Sequence, residues 1–179
     1  YKMLQFIQNS AHPITKTESE EVLQHYWNML NMKPKHSFFA RQAISLEIQH
    51  ILNFLPHKYA VTDKANGERH QLIVFKSNVY LIDKILHVMK TGIETKKNMV
   101  MIVDGELIEL EKQKVFMAFD VLIYEKNNYI NSVEFNLHDR EKTLTEICQL
   151  FGDNFEYEDY VTKHKNFDLN NITKFYLKQ

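Results

Sequence analysis

The sequence predicts an α+β domain in which helices lead into a five-strand, antiparallel-leaning block and helices follow it. Two changes of period carry that reading. Apolar residues recur at helical spacing as far as Pro56, alternate at about every second residue from His57 to Tyr124, and return to helical spacing from Leu137. Strands gathered into one run between helices, rather than alternating with them, argue for α+β over a parallel α/β sheet. With 179 residues, 44% hydrophobic and 12% aromatic, the chain is long enough to bury a core and too apolar for a disordered tail. No internal repeat or low-complexity linker divides it.

Thr17 followed by Glu20 is a capping-box spacing, so a helix is expected to start there, with Glu18, Glu20 and Glu21 favoured by its N-terminal dipole. Val22, Tyr26, Met29 and Leu30 give it an apolar stripe, and Lys33-Pro34-Lys35 ends it. A second helical pattern runs through Ile44, Ile48, Ile51 and Leu52 to Pro56. Tyr59 to Lys64 and Arg69 to Phe75 read as strands. Ser77-Asn78 signals a turn into Val79 to Ile82. Met99 to Leu110 and Lys114 to Tyr124 are long apolar strands, the second broken by Asn127-Asn128. Leu144, Ile147 and Leu150 mark a helix over Leu137 to Phe151.

Composition removes several function classes. Lys+Arg 22 against Asp+Glu 23 gives a net charge of -1, which excludes nucleic-acid binding by bulk basicity. No apolar run approaches the roughly 18 residues of a membrane span, so no membrane partner is expected. One cysteine, Cys148, cannot form an internal disulfide and fits a reducing compartment. The chain opens on Tyr1 without a signal peptide and reads as an excerpt from something longer. Gly67, Gly92, Gly105 and Gly152 are isolated, so no phosphate-cradling glycine loop forms. The nine histidines fall neither at His-x-His nor at His-x-x-x-His spacing, and lone ones such as His50 or His87 read as surface or satisfied core residues. Arginine occurs only at Arg41, Arg69 and Arg140, so each planar guanidinium fork is worth attention.

Three places put polar groups where strand chemistry disfavours them. In Val100, Ile102, Asp104, Glu106 and Ile108 the even positions share one face, so two carboxylates interrupt an apolar surface. That face either opens onto a cleft holding cations or donors, or ends as solvated acids; Gly105 between them lets something approach the backbone. In Lys64-Ala65-Asn66-Gly67-Glu68-Arg69 a lysine and an arginine flank an Asn-Gly turn. This is either a plain hairpin or a pair of cations reaching one anionic ligand. Phe119 and Asp120, adjacent on a strand, are expected on opposite faces, Phe119 in the core or stacked on a base.

Together these segments resemble the covalent nucleotidyltransferase superfamily of mRNA-capping guanylyltransferases and ATP-dependent polynucleotide ligases. Lys64 to Arg69 matches its Lys-x-Asp-Gly-x-Arg motif except at Asn66; Asp104-Gly105-Glu106 matches its Asp-Gly-Glu strand. Phe119-Asp120 matches its aromatic-Asp strand, and Leu137, Arg140 and Leu144 its Leu-x-x-Arg-x-x-x-Leu element. The four stand in family order from Lys64 to Leu144. Gln42 to Leu46 is similar to the Gln-Pro-Val-Ser-Leu element of guanylyltransferases. Tyr59 to Arg69 looks most like capping enzymes of large cytoplasmic DNA viruses, of poxvirus, asfarvirus and mimivirus type.

The resemblance implies an antiparallel, ATP-grasp-like core with flanking helices. Residues 1–56 would be its helical lead-in and 57–179 the front of the nucleotidyltransferase domain. It implies Lys64 as the nucleophile that takes GMP from GTP and passes it to a 5′-diphosphate RNA end. Gln42, Ser45, Asn66, Gly67, Arg69, Glu106 and Phe119 would bind nucleotide, and Mg²⁺ or Mn²⁺ would assist, with Glu106 as a metal-facing acid. It also implies adjoining triphosphatase or methyltransferase domains and a cytoplasmic setting, a viral factory or virion if the source is viral. The family's later acidic-Gly-apolar-apolar strand does not follow Arg140. Lys163-His164-Lys165 has the Lys-x-Lys spacing of its closing strand but polar surroundings. The chain therefore reads as truncated before the last core motifs and any OB-fold domain. A ligase adenylation domain and a catalytically inactive binding or assembly fragment are the alternatives.

Overall fold

The computed structural model describes residues 1–41, 47–49, 66–110, 113–130 and 135–154. The second helical pattern lies almost wholly outside these residues. So do the expected Tyr59–Lys64 strand, Gln42, Ser45, Lys64 and Lys163–Lys165.

Among the described residues the chain is α+β, as expected. Helix α1 spans Lys2–Gln8 and α2 spans Lys16–Leu30. Strands β1 (Glu68–Phe75), β2 (Asn78–Asp83), β3 (Val88–Glu94), β4 (Met101–Leu110), β5 (Gln113–Tyr124) and β6 (Asn127–Asn128) follow, then helix α3, Leu137–Asn154. The strands form one sheet in the order β3-β2-β1-β4-β5-β6, antiparallel at every pairing. No helix among these residues is long and apolar enough to cross a membrane.

Several elements differ from the sequence reading, among them α1, which was not expected. Helix α2 starts two residues early, because Thr15 rather than Thr17 is its cap: Glu18 N–H donates to Thr15 Oγ1 at 3.2 Å. It ends on Asn31 in the left-handed conformation, φ 53°, ahead of Pro34. Strand β3 was not expected, since Lys90, Thr91 and Gly92 break its apolar alternation; Gly92 takes φ 81° there. Asn127-Asn128, read as a break, pairs with β5 as β6. Helix α3 covers the stretch expected, capped by a reciprocal pair in which Asp139 N–H donates to Asn136 Oδ1 and Asn136 N–H to Asp139 Oδ2.

The sheet is buried on both faces. Val22, Tyr26, Trp27 and Leu30 of α2 pack on Ile73, Tyr80, Ile82, Ile102 and Leu122. On the other face Leu144 and Ile147 of α3 pack with Leu72, Val74, Met101, Val103, Ala118 and Val121. The alternation of β4 therefore works as expected, Ile102 facing α2 and Val103 facing α3. Strand β5 breaks alternation twice. Asp104 pairs with Asp120 but Gly105 with Ala118; Ile102 pairs with Ile123 but Val103 with Val121. Phe119 and Leu122 are thus the extra residues of two β-bulges.

Candidate nucleotide site

The site lies on the α2 face of the sheet, where β1, β4 and β5 run side by side. Its centre is Asp104. Register places Asp104 opposite Gln71 on β1 and opposite Asp120 on β5, and its side chain is 1% exposed. A carboxylate this deep needs a matched cation. Arg69 supplies it through both prongs of its fork: Nε donates to Asp104 Oδ1 at 3.0 Å and Nη2 to Oδ2 at 2.5 Å. Burial raises the Asp104 carboxyl above its ordinary pKa, against the opposing pull of Arg69. The Asp104 bonds hold the Arg69 guanidinium more firmly protonated, against the effect of its own burial. Of the two readings left open for this face, solvated acids do not describe Asp104, which is buried against a cation.

A second ionic group adjoins the first. Asp120 Oδ2 accepts from Arg41 Nη1 at 2.6 Å, and Asp120 Oδ1 accepts from Arg140 Nε at 2.8 Å. Arg41 also reaches the carbonyl oxygens of Tyr129 and Ile130, while Arg140 Nη1 donates to the Phe135 carbonyl oxygen at 3.1 Å. The two groups are joined by a backbone link, Arg69 Nη1 donating to the Arg41 carbonyl oxygen at 3.0 Å. All three arginines of the sequence therefore meet in one network drawn from the segment before residue 42, β1, β5 and α3.

That network rests on a buried polar support. Tyr26 of α2 donates its hydroxyl proton to Gln71 Oε1 at 2.6 Å and accepts from Phe39 N–H at 2.8 Å. Gln71 Nε2 returns a bond to the Phe39 carbonyl oxygen. Every polar atom of this group has a partner, as deep burial requires. The effect is to pin the chain at Phe39, two residues before Arg41, onto β1.

The bulge at Phe119 corrects one expectation. Phe119 and Asp120 do not point to opposite faces. The extra residue turns Asp120 onto the α2 face, opposite Asp104, while the Phe119 ring lies 5.4 Å from the Arg69 guanidinium carbon on the same side. Phe119 is partly exposed rather than core. Gly105 admits a close approach to its backbone, as expected. The group that approaches it is the Phe116 ring: a Cβ at Gly105 would stand 2.4 Å from Phe116 Cζ, on the face away from Asp104. Its smallness serves sheet packing.

The remaining expected residues divide. Glu106 lies opposite Arg69 in the β1–β4 register and is partly buried. Asn66 and Gly67 are exposed and lead into β1. Gly67 fits because a Cβ there would stand 2.4 Å from the Leu107 carbonyl oxygen and 2.9 Å from Glu106 Cγ. Arg69, Glu106 and Phe119 thus share one face, and Gly67 abuts Glu106. Lys64, Gln42 and Ser45 lie outside the described residues. Arg41, Asp120, Gln71 and Tyr26 went unassigned in the sequence. For Arg41 the only signal was the scarcity of arginine.

A resident divalent cation needs carboxylate oxygens free to ligate it. Asp104 commits both oxygens to Arg69, and Asp120 commits one each to Arg41 and Arg140. That leaves Glu106, and no group of three or more ligating side chains converges among the described residues. These residues do not fit a resident metal.

Residues 8–176 match the family model for the mRNA capping enzyme, catalytic domain. The chain is 37% identical over 173 residues to a probable mRNA-capping enzyme of Acanthamoeba polyphaga mimivirus, an alignment covering 95% of this chain and 15% of that protein. It is 37% identical over 73 residues to the mRNA-capping enzyme of African swine fever virus, strain Badajoz 1971 Vero-adapted, covering 40% of this chain and 8% of that protein. The chain spans only a small part of the length of either relative. With a family match over nearly its whole length, the chain belongs to the mRNA capping enzyme catalytic domain family.

Proposed function

We propose that the chain is the front of an mRNA guanylyltransferase domain, which moves GMP from GTP to a 5′-diphosphate RNA end through Lys64. The observation that carries this reading is the shared face of Arg69, Glu106 and Phe119, with Asn66 and Gly67 leading into its β1 edge. Phe119 offers a partly exposed ring for a purine, and Glu106 an acceptor for ribose hydroxyls. Arg69 has its fork committed to Asp104, so it contributes a fixed positive field and its remaining N–H donors rather than a free side chain. Gln42, Ser45 and Asn66 are assigned to nucleotide binding by their place in the family motifs.

In the first step the Lys64 Nζ lone pair attacks the α-phosphorus; a P–N bond forms and pyrophosphate leaves. In the second, a terminal phosphate oxygen of the RNA attacks the same phosphorus and the P–N bond breaks, returning the lysine. A lysine with a pKa of about 10.4 must lose its proton first. Mg²⁺ or Mn²⁺ enters in this reading with the triphosphate, as part of the substrate.

The fold of this reading is an ATP-grasp-like core, with 1–56 as the lead-in and 57–179 as the front of the domain. Its later motifs, an OB-fold and triphosphatase or methyltransferase neighbours are proposed to lie elsewhere in a longer chain working in the cytoplasm. Incubation with α-labelled GTP or ATP, followed by a denaturing gel, tests the activity. Label retained from GTP, lost in Lys64→Ala and released to 5′-diphosphate RNA is the expected result. Label retained only from ATP would make it a ligase adenylation domain, and none from either a binding fragment.

A further inference from the structure

Asp120 takes no part in the transfer just described, yet its carboxylate is held on both oxygens. Its two oxygens receive Arg41 and Arg140, and Oδ1 also accepts from Val121 N–H at 2.9 Å. Its side chain is only 14% exposed, and those of Arg140 and Arg41 are 15% and 28% exposed. Three segments distant in sequence are tied at one point: the chain before residue 42, β5 and α3.

The tie sits on the bulge itself. Asp120 immediately follows Phe119, the residue that β4 leaves unpaired. A bulged residue lacks the ladder bonds that hold its neighbours, so something else must fix the chain there. Strict alternation from Met117, which pairs with Glu106, would turn Asp120 toward the α3 face, among Leu144 and Ile147. Burying a carboxylate there is costly. The two guanidinium groups on the α2 face supply the opposite pull.

We propose that Arg41 and Arg140 are positioning residues. Acting through Asp120, they hold the β5 bulge so that the Phe119 ring stays beside Arg69 and faces the base of the nucleotide. Arg41 acts in two ways, since its carbonyl oxygen also receives Arg69 Nη1. The clamp thus fixes both the ring and the cation beside it. The inference rests on the proposed function for the identity of the ligand. The clamp itself is a property of the fold.

Two measurements on the longest chain that carries the activity, made with Arg140→Met, Arg140→Lys and Asp120→Asn, test it. The first compares inhibition constants of GTP and inorganic triphosphate against GMP labelling of Lys64, because their ratio reads what base and ribose add. Arg140→Met and Asp120→Asn are expected to cut that ratio at least tenfold, with inorganic triphosphate changed less than threefold. Arg140→Lys is expected to restore it partly, since a lysine keeps the charge but not the fork. The second measures amide hydrogen exchange, expected to speed up at least tenfold at Ala118–Val121 while β1–β2 amides stay protected. An unchanged ratio, or parallel loss of both ligands, overturns the positioning role; unchanged exchange overturns the clamp. If the parent does not distinguish GTP from inorganic triphosphate, the proposed function and the positioning of a base fall together. The exchange measurement then still decides whether the clamp holds the bulge.

Discussion

At the scale of single residues, the chain uses its scarce guanidinium groups for position. Arg69, Arg41 and Arg140 all face carboxylates, and their planar forks match those partners in a way a lysine could not. Scarcity was readable in the sequence; the partners were not, because Asp104 lies 35 positions from Arg69 and Asp120 lies 79 from Arg41. Gly67 is a second case. A methyl group there meets the Leu107 carbonyl oxygen, a backbone atom that cannot swing aside. Gly67→Ala is therefore expected to push the start of β1 off β4. The expected cost is about 1–3 kcal/mol of stability by urea unfolding, and GMP labelling of Lys64 should fall by up to about 100-fold, because small misplacements near reacting groups are expensive. Normal labelling in a destabilised Gly67→Ala protein would separate the turn from the chemistry.

At the scale of elements, α2 fastens one face of the sheet through polar as well as apolar groups. Glu18 Oε1 accepts from Tyr80 at 2.8 Å and from Lys90 at 3.0 Å, binding the helix to β2 and β3. Burial acts to raise the Glu18 carboxyl, but those two bonds and the Lys90 charge outweigh it and bring it below its ordinary value of 4.5. Seven residues on, His25 stacks 5.0 Å from Phe75, with Nε2 buried and unpartnered among the described residues. Burial lowers its pKa below the ordinary 6.5, despite a backbone bond to Val74. Both groups have depressed folded values, so each contributes stability that is present above its unfolded pKa and lost as pH falls through the folded one. Two windows follow. The stability lost as pH falls below about 6.5 is expected to shrink in His25→Gln, and the further loss below about pH 4.5 to shrink in Glu18→Gln, both followed by urea midpoints. Coincident profiles for parent and variants would refute the assignment.

The elements differed in how legible they were. Helices α2 and α3 and strands β1, β2, β4 and β5 announced themselves by period, because each buries one continuous stripe or both faces. β3 did not. Its Lys90 is drawn to Glu18 and its Thr91 hydroxyl to the Val79 carbonyl oxygen, so partners elsewhere in the fold allow polar residues in a strand.

At the scale of the whole molecule, the sheet separates two tasks. The α2 face holds the charged network and the α3 face is mostly apolar packing, with Leu144 and Ile147 against Val103, Ala118 and Val121. Substitutions on the two faces should therefore differ in kind. Ile147→Val is expected to cost about 0.5–1.5 kcal/mol in unfolding free energy while the KM for GTP moves less than twofold. A KM shift larger than the loss of stability would mean that the two faces are coupled. The family assignment belongs to this scale too, since it comes from four short motifs in order and a match over residues 8–176 rather than from any one side chain.

The sequence by itself determined the α+β class, the main strands, and the order of motifs around Asn66-Gly67, Asp104-Gly105-Glu106 and Phe119-Asp120. These are local facts, written in spacing and residue type over a few positions at a time. Tertiary structure alone decided which carboxylate meets which arginine, that Gly105 makes room for Phe116, and that a bulge turns Asp120 onto the face of Phe119. Strand register and ion pairing depend on groups far apart in the chain, and the energy of burying Asp104 and Asp120 is settled only when the sheet brings Arg69, Arg41 and Arg140 to them.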